Sequence, residues 1–337
     1  MTMSEKPSAT MERSDRLKGV MSHAASSRLA KLLMAASLLP AALVGSAPAV
    51  ATTARTGTVS PAKRRQNELN LRRREASVKI DAKYQADNVF DSCSATRIGP
   101  STLLMAKHCI STNAMLDKPI STPFNALTAN LGLPAYEVVN RQGRVAQAVV
   151  SSIVEDPTGR DMATVGVTNP SDLKGIPQLR VATEADQQKL KTGDIFQVSG
   201  YPTELGGDTE ISFNVELLGQ FTDNSVDNKY ASPLEPQHFL AFAIPASFHN
   251  QNADYFCQGG GMSGAGFTKY DTVYADLSSD ITLGQDPTDW ERLNQRFGTG
   301  LQGVDSVCLG VPVTQGLIQE YEKAETFVPP QLLIPQA

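Results

Sequence analysis

The sequence predicts an all-β fold, and the pattern of apolar residues carries that prediction. After about residue 81, short apolar runs alternate with Gly, Pro, Asn and Asp, and long amphipathic helical patterns are scarce. Many short strands between turn residues are typical of antiparallel sandwiches and barrels, not of alternating strand–helix units. The strand candidates are residues 94–98, 102–106, 146–154, 162–167, 195–199, 211–217, 239–244 and 273–277; the helical candidates are 184–191, 289–296 and 315–324.

The first 51 residues have the composition of an export signal. An Ala/Leu-rich stretch over residues 29–50 follows Arg28 and ends in Ala49-Val50-Ala51, which has small residues at the positions a signal peptidase reads. The alternative is a transmembrane anchor, but Pro40 and Pro48 interrupt the roughly 20 apolar residues that a span needs. We therefore expect a secreted or periplasmic protein without a stable membrane anchor after signal cleavage.

Charge divides the rest of the chain into two parts. Residues 52–80 carry eight basic and two acidic side chains and are interpreted as a basic linker or pro-segment that includes a short polar helix. Its runs Lys63-Arg64-Arg65 and Arg72-Arg73-Arg74 are either solvated charge or a maturation cleavage site. Residues 81–337 carry 16 basic and 30 acidic side chains, a net charge of −14. Nucleic acid is therefore not an expected partner, since phosphate contacts need clustered cations.

The four cysteines indicate two disulfides. They are Cys93, Cys109, Cys257 and Cys308, and an even number in an exported chain is typical of disulfide bonding. Three pairings are open on spacing alone. No CxxC motif occurs and the chain has four histidines, so we expect no metal site.

A segment with a histidine beside a cysteine is the first candidate site. Residues 93–109 are interpreted as two short strands joined by the turn Gly99-Pro100-Ser101, which brings Cys93 close to Cys109. That geometry would let the two cysteines pair and hold His108 rigidly at a strand end. Rigid placement is what a general base needs. The alternative is a histidine that merely lies beside a structural disulfide.

A glycine-rich segment, residues 258–266, contains the second candidate, Ser263. Glycines around a serine let backbone N–H groups turn toward one point, as an oxyanion hole requires. The alternative is a flexible glycine loop. The segment is not the nucleophile elbow of α/β-hydrolases, because Ala265 stands where that elbow needs glycine.

An aspartate that opens an apolar run is the third candidate. Asp161 directly precedes the run 162–167 and could orient His108 from behind. Asp156 is the competing carboxylate, but it precedes Pro157 and lies outside the run.

Together these three segments resemble trypsin-like (chymotrypsin-fold) serine proteases, and bacterial secreted members in particular. The order His, Asp, Ser along the chain is the one that family uses. The resemblance extends over about residues 91–321 and rests on Ala106-Lys107-His108-Cys109, Asp161-Met162-Ala163, Gly261-Met262-Ser263-Gly264 and, more loosely, Val198-Ser199-Gly200-Tyr201-Pro202.

The resemblance implies the fold and the domain organisation. We expect two antiparallel six-stranded β-barrels with a short C-terminal helix, spanning residues 81–337. The first barrel would take about 81–185 and the second about 186–337. It also implies a monomeric serine endopeptidase that acts on protein or peptide substrates without a cofactor.

The resemblance also assigns roles to residues. His108, Asp161 and Ser263 would form the catalytic triad, and the backbone N–H groups of Gly261 and Ser263 the oxyanion hole. The substrate pocket would involve Ser278, Ser279, Asp280 and Gly310, with disulfides Cys93–Cys109 and Cys257–Cys308.

Two departures from the family pattern affect these expectations. Met262 replaces the aspartate that binds a newly formed N-terminus in zymogen-activated relatives, which predicts that this activation switch is absent. Asp280 stands where glycine is common, and either narrows the pocket or favours a cationic side chain. The alternative function is a non-catalytic, protease-like binding module.

Overall fold

The first sheet is a closed antiparallel barrel of six strands. The structure is a computed structural model that describes residues 60–83, 90–109, 135–156, 160–207, 209–223, 237–245, 257, 260–285 and 287–324. The predicted signal peptide therefore lies outside the described residues, as do Gln258 and Gly259.

The first barrel has the strand order β1-β2-β3-β6-β5-β4, with β1 Ser77–Lys83, β2 Phe90–Arg97, β3 Thr102–Met105, β4 Ala135–Val139, β5 Val145–Glu155 and β6 Ala163–Val167.

The second sheet also closes into a six-stranded ring. Its order is β11-β8-β9-β10-β13-β12, and an additional pairing of β11 with β12 completes the circle. A short strand, β7, extends this sheet by a parallel pairing with β12. The strands are β7 Arg180–Val181, β8 Ile195–Gly200, β9 Ile211–Asp223, β10 Gln237–Ala243, β11 Gly266–Lys269, β12 Thr272–Thr282 and β13 Ser306–Pro312. The predicted pair of six-stranded barrels is confirmed.

Apolar side chains fill each barrel and the space between them. In the first barrel, alternate residues of the strands, such as Leu103 and Met105 in β3, form the core. In the second, the ring of Phe242 stacks on that of Phe267 with centroids 3.9 Å apart. A further cluster joins Leu104 of the first barrel to Val273 of the second. The two barrels therefore pack as parts of one compact unit.

A polar helix precedes the first barrel. Helix α1, Pro61–Glu75, begins after Ser60, whose hydroxyl accepts a hydrogen bond from the Lys63 N–H, and Pro61 occupies its first turn. The helix contacts β8 of the second barrel as well as β1. The structure thus agrees with a short polar helix in this segment. It differs from the predicted boundary at residue 81, because β1 begins at Ser77 and pairs with both β2 and β4.

The arginines at the end of α1 are bound to the second barrel and the chain that leads into it. Arg73 is 8 % exposed and donates to the Thr268 carbonyl, and Arg72 donates to the Gln178 carbonyl 3.1 Å away. Arg74 forms an ion pair of 2.6 Å with Glu210. The interpretation of the Arg72–Arg74 run as solvated charge is therefore wrong for Arg73, which is buried, whereas Arg72 is exposed and Arg74 is partly exposed.

Three further α-helices of the described residues lie at the surface. Helix α2, Glu184–Gln187, carries a capping box formed by Thr183 and Asp186; α3 is Pro287–Phe297, and α4 is Gln315–Ala324. Helix α4 agrees with the predicted C-terminal helix. Because β7 already pairs with β12, the chain enters the second sheet at Arg180, before the predicted division at residue 185. Among the described residues, no helix combines the length and the apolar character needed to cross a bilayer.

Both expected disulfides are present. Cys93 pairs with Cys109 and Cys257 pairs with Cys308, with Cα atoms 6.1 and 5.3 Å apart. The first closes the segment between β2 and the residues after β3. The second ties the chain before Ser263 to β13.

Candidate active site

Strand pairing brings His108 next to Asp161. Strands β3 and β6 are antiparallel, and their pairing ends with Met105 opposite Ala163. The residues that follow β3 and those that precede β6 therefore lie side by side. The Asp161 carboxylate accepts two hydrogen bonds from His108, at 2.8 Å from the backbone N–H and at 2.6 Å from Nδ1.

A third hydrogen bond reaches Asp161 from the second barrel. The hydroxyl of Ser278 in β12 donates to Asp161 Oδ2 across 2.5 Å. Asp161 is 1 % exposed, and this burial acts to raise its pKa. The positive potential of His108 and the hydrogen bonds from His108 and Ser278 outweigh burial and hold the pKa of Asp161 below its usual value. The carboxylate thus stays ionised and keeps the proton of a neutral imidazole on Nδ1, which leaves Nε2 as a proton acceptor.

The competing carboxylate, Asp156, has a different partner. Arg160 binds it through Nε at 2.7 Å and through Nη2 at 2.6 Å. The structure therefore places Asp161, and not Asp156, against the ring of His108, as the sequence pattern indicates.

The loop that carries Ser263 is held against the His108 segment. The N–H of Ser94 donates to the Ser263 carbonyl oxygen at 2.9 Å, and the sulfur of Cys109 lies 3.8 Å from the same oxygen. Gly264 has φ +86°, and a Cβ there would lie 2.0 Å from the Ser94 carbonyl oxygen, so no larger residue fits. The segments that contain Ser263, His108 and Asp161 thus meet at the junction of the two barrels.

Three backbone N–H groups in this loop have no acceptor among the described residues: those of Gly261, Met262 and Ser263. Gly261 has φ +84°, and a Cβ there would lie 2.4 Å from the Tyr201 carbonyl oxygen. Glycine is therefore required for the backbone to pass this point. The N–H groups of Gly261 and Ser263, on either side of Met262, are suitably arranged to bind a carbonyl oxygen that gains negative charge.

The predicted pocket residues lie along β12 and β13. Ser278 is engaged with Asp161, whereas Ser279 and Asp280 are partly exposed. The Thr282 hydroxyl donates to Asp280 Oδ2 at 2.8 Å. A Cβ on Gly310 would lie 2.9 Å from the Phe267 ring, so this glycine allows the ring to pack against β13.

Sequence reasoning missed two groups beside the site. Glu204 and Thr203 bind the backbone of Gly260 from a turn after β8, and nothing in the sequence links these distant positions. Asp276 lies in β12 with no exposed surface, two residues before Ser278. An aspartate inside an otherwise apolar strand was the available signal, in the run Val273-Tyr-Ala-Asp276-Leu277.

Cys93, His108 and Cys109 are close enough together to resemble a metal site. Both sulfurs belong to one disulfide and Nδ1 of His108 is bound to Asp161, so this cluster does not fit a metal ion.

Comparisons with known proteins find similarity in structure and not in sequence. No protein-family description matches the chain, and no curated protein matches it. Among solved structures, the active form of the Rv3671c protease from M. tuberculosis is 15 % identical with a TM-score of 0.47, covering 89 % of this chain and 97 % of that one. The HtrA-type protease AlgW with a tripeptide is 14 % identical (TM-score 0.46, 77 % of this chain, 62 % of that one). The thermostable serine protease AL20 from an extremophilic microorganism is 14 % identical (TM-score 0.44, 76 % and 100 %).

The chain has the chymotrypsin-type double barrel. That statement rests on its own two closed six-stranded sheets. At the identities and TM-scores above, the named proteases carry no activity over to this chain, since one fold hosts unrelated functions. The function of this chain is therefore inferred from the geometry of its site.

Proposed function

We propose that this protein is a serine endopeptidase that hydrolyses peptide bonds through Ser263, His108 and Asp161. The observation that carries the proposal is the Asp161 carboxylate, which binds both the backbone N–H and Nδ1 of His108 inside a buried site. A carboxylate in this position fixes the tautomer that a general base needs and stabilises the imidazolium that forms during reaction.

The mechanism follows from the roles that these groups can take. The Ser263 hydroxyl oxygen bonds to the scissile carbonyl carbon while His108 Nε2 accepts the hydroxyl proton. The N–H groups of Gly261 and Ser263 donate to the carbonyl oxygen as it becomes negative. The imidazolium then gives its proton to the leaving amine, the C–N bond breaks, and an acyl-enzyme remains. A water molecule, deprotonated by His108, releases the acid and restores the serine.

The two disulfides support a location outside the cytoplasm. Such bonds persist in oxidising compartments, so we place the protein in the periplasm or the extracellular medium, exported by the segment 1–51. Protein or peptide substrates would bind along β12 beside Ser278 to Asp280, and we propose that the protein acts as a monomer without a cofactor.

A fluorophosphonate probe tests this proposal directly, because it reacts with an activated serine. We expect it to label the wild-type protein at Ser263, and we expect Ser263→Ala and His108→Ala to abolish both labelling and the cleavage of casein. Ser171→Ala, at an exposed serine of the turn Pro170–Leu173, is the matched control and should be labelled at the wild-type rate. A folded wild-type protein that neither reacts nor cleaves would support the non-catalytic binding module instead.

A further inference from the structure

A short turn after β8 binds the loop that carries Ser263. The turn Thr203–Leu205 follows Pro202, and its Thr203 N–H donates to the Gly260 carbonyl oxygen at 2.7 Å. The carboxylate of Glu204 accepts a hydrogen bond of 2.8 Å from the Gly260 N–H. Gly260 is therefore held through both of its peptide groups.

Holding both peptide groups fixes the conformation of Gly260. Each peptide group is planar, so two successive peptide groups can change their relative orientation only through the φ and ψ of the residue between them. Glycine restricts these two angles least of all residues. At Gly260, the hydrogen bonds with Thr203 and Glu204 restrict φ and ψ, as a side chain would at another residue.

The same two bonds determine where the Gly261 N–H points. In a trans peptide the carbonyl and the N–H point in opposite directions. Because the Gly260 carbonyl points at Thr203, the Gly261 N–H points away from that turn, and no described residue accepts from it. If this peptide rotated, the Gly260 carbonyl would face the place where the N–H is needed.

An apolar side chain lies beneath the loop. Met262 is completely buried, and its sulfur packs against Gly200. The Ser94 hydroxyl holds the Gly261 carbonyl at 2.7 Å, and so fixes the next peptide from the other side. The loop is thus ordered by hydrogen bonds to its backbone and by an apolar side chain.

We infer that Glu204 is a positioning residue, which keeps the Gly260–Gly261 peptide oriented so that the Gly261 N–H can stabilise the oxyanion. The inference rests on the proposed endopeptidase function. It assigns a role to an exposed carboxylate that does not touch the substrate. Its effect should appear in the transition state and not in the binding of the ground state.

Steady-state kinetics of Glu204→Ala, with a peptide ester, test this inference. Losing one oxyanion donor costs about 100- to 1000-fold in rate, and partial loss of its orientation should cost less. We expect kcat to fall about 10-fold with KM nearly unchanged. The affinity for a peptide aldehyde, which forms a tetrahedral adduct with the serine, should fall by a similar factor. Glu204→Gln keeps an acceptor oxygen for the Gly260 N–H and should restore most of kcat.

Glu291→Ala is the control, because Glu291 is an exposed glutamate on α3. It should leave kcat, KM and aldehyde affinity at wild-type values. Equal kcat in Glu204→Ala and wild type would overturn the inference, as would a rise in KM that accounts for the whole loss. Absence of fluorophosphonate labelling in wild type would instead contradict the proposed function, so the two failures are distinguishable.

Discussion

The buried carboxyl of Asp276 should make the protein less stable as the pH rises. Asp276 has no exposed surface, and neither of its carboxyl oxygens has a hydrogen-bond partner among the described residues. Burial, and then the nearby negative charge of Asp161, raise the pKa of Asp276 well above its usual value. The folded protein therefore holds the Asp276 proton more tightly than the unfolded chain does.

The sign and size of the effect follow from this difference. Below the pKa of the unfolded chain, near 4, both states are protonated and Asp276 causes no pH dependence. Between that value and the raised pKa of the folded state, only the unfolded chain releases the proton, so the free energy of unfolding falls by about 1.4 kcal/mol per pH unit. Two pH units inside this window cost about 2.7 kcal/mol. Asp276→Asn cannot ionise and should remove this slope.

Urea unfolding at a series of pH values measures the slope. Both proteins should carry Ser263→Ala, which prevents self-cleavage during the measurement and leaves the other titrating groups in common. Asp305→Asn, at an exposed aspartate, is the control and should keep the slope of the parent protein. The reasoning is refuted if the free energies of unfolding of Asp276→Asn and its parent differ by a constant amount at every pH.

Further variants separate roles in the site from roles in the fold. Asp161→Asn should lower kcat on the order of 10⁴-fold through the wrong histidine tautomer, whereas Asp156→Asn should mainly lower the urea midpoint; the reverse result would show that the wrong carboxylate was chosen. Ser278→Ala removes a hydrogen bond to the Asp161 carboxylate and should lower the free energy of unfolding by about 1.5 kcal/mol, so an unchanged urea midpoint would contradict it. Arg74→Ala leaves the Glu210 side chain, 3 % exposed, without its ion-pair partner, and should cost about 1–3 kcal/mol; a double-mutant cycle with Glu210→Ala that shows additive losses would refute that coupling.

Much of the fold was predictable because strands of this chain have clear apolar patterns. The runs at 195–199 and 211–217 became β8 and β9, and the helical pattern at 315–324 became α4. Strand β1 was missed although its residues, Ser77-Val-Lys-Ile-Asp-Ala-Lys83, alternate between polar and apolar, because they directly follow a run of arginines and were grouped with that basic segment. The position of β1 is determined by its pairing with β2 and β4, and such long-range pairing cannot be recognised in the local sequence.

The candidate site was predictable only where its residues belong to contiguous motifs. Neighbouring residues distinguish His108, which is followed by Cys109, and Ser263, which lies among glycines. The apolar run after Asp161 distinguishes that aspartate. No neighbouring residue distinguishes Glu204 in this way. Its partner, Gly260, is 56 positions away, and the contact arises from the way β8 leads the chain past the serine loop. Contacts of this kind depend on tertiary structure, and no periodicity in the sequence indicates them.

The arginine-anchored helix α1 determines where a shortened recombinant chain can start. Ser60 is a suitable first residue, because the described contacts of the helix and its cap lie at or after that position. Starting at Ser77 would keep all thirteen strands of the described residues but would lose the bonds of Arg72, Arg73 and Arg74. Starting at residue 81 would remove about half of β1, the strand that joins β2 to β4 and so closes the first barrel. The edges of β2 and β4 that pair with the lost residues would then be exposed to water.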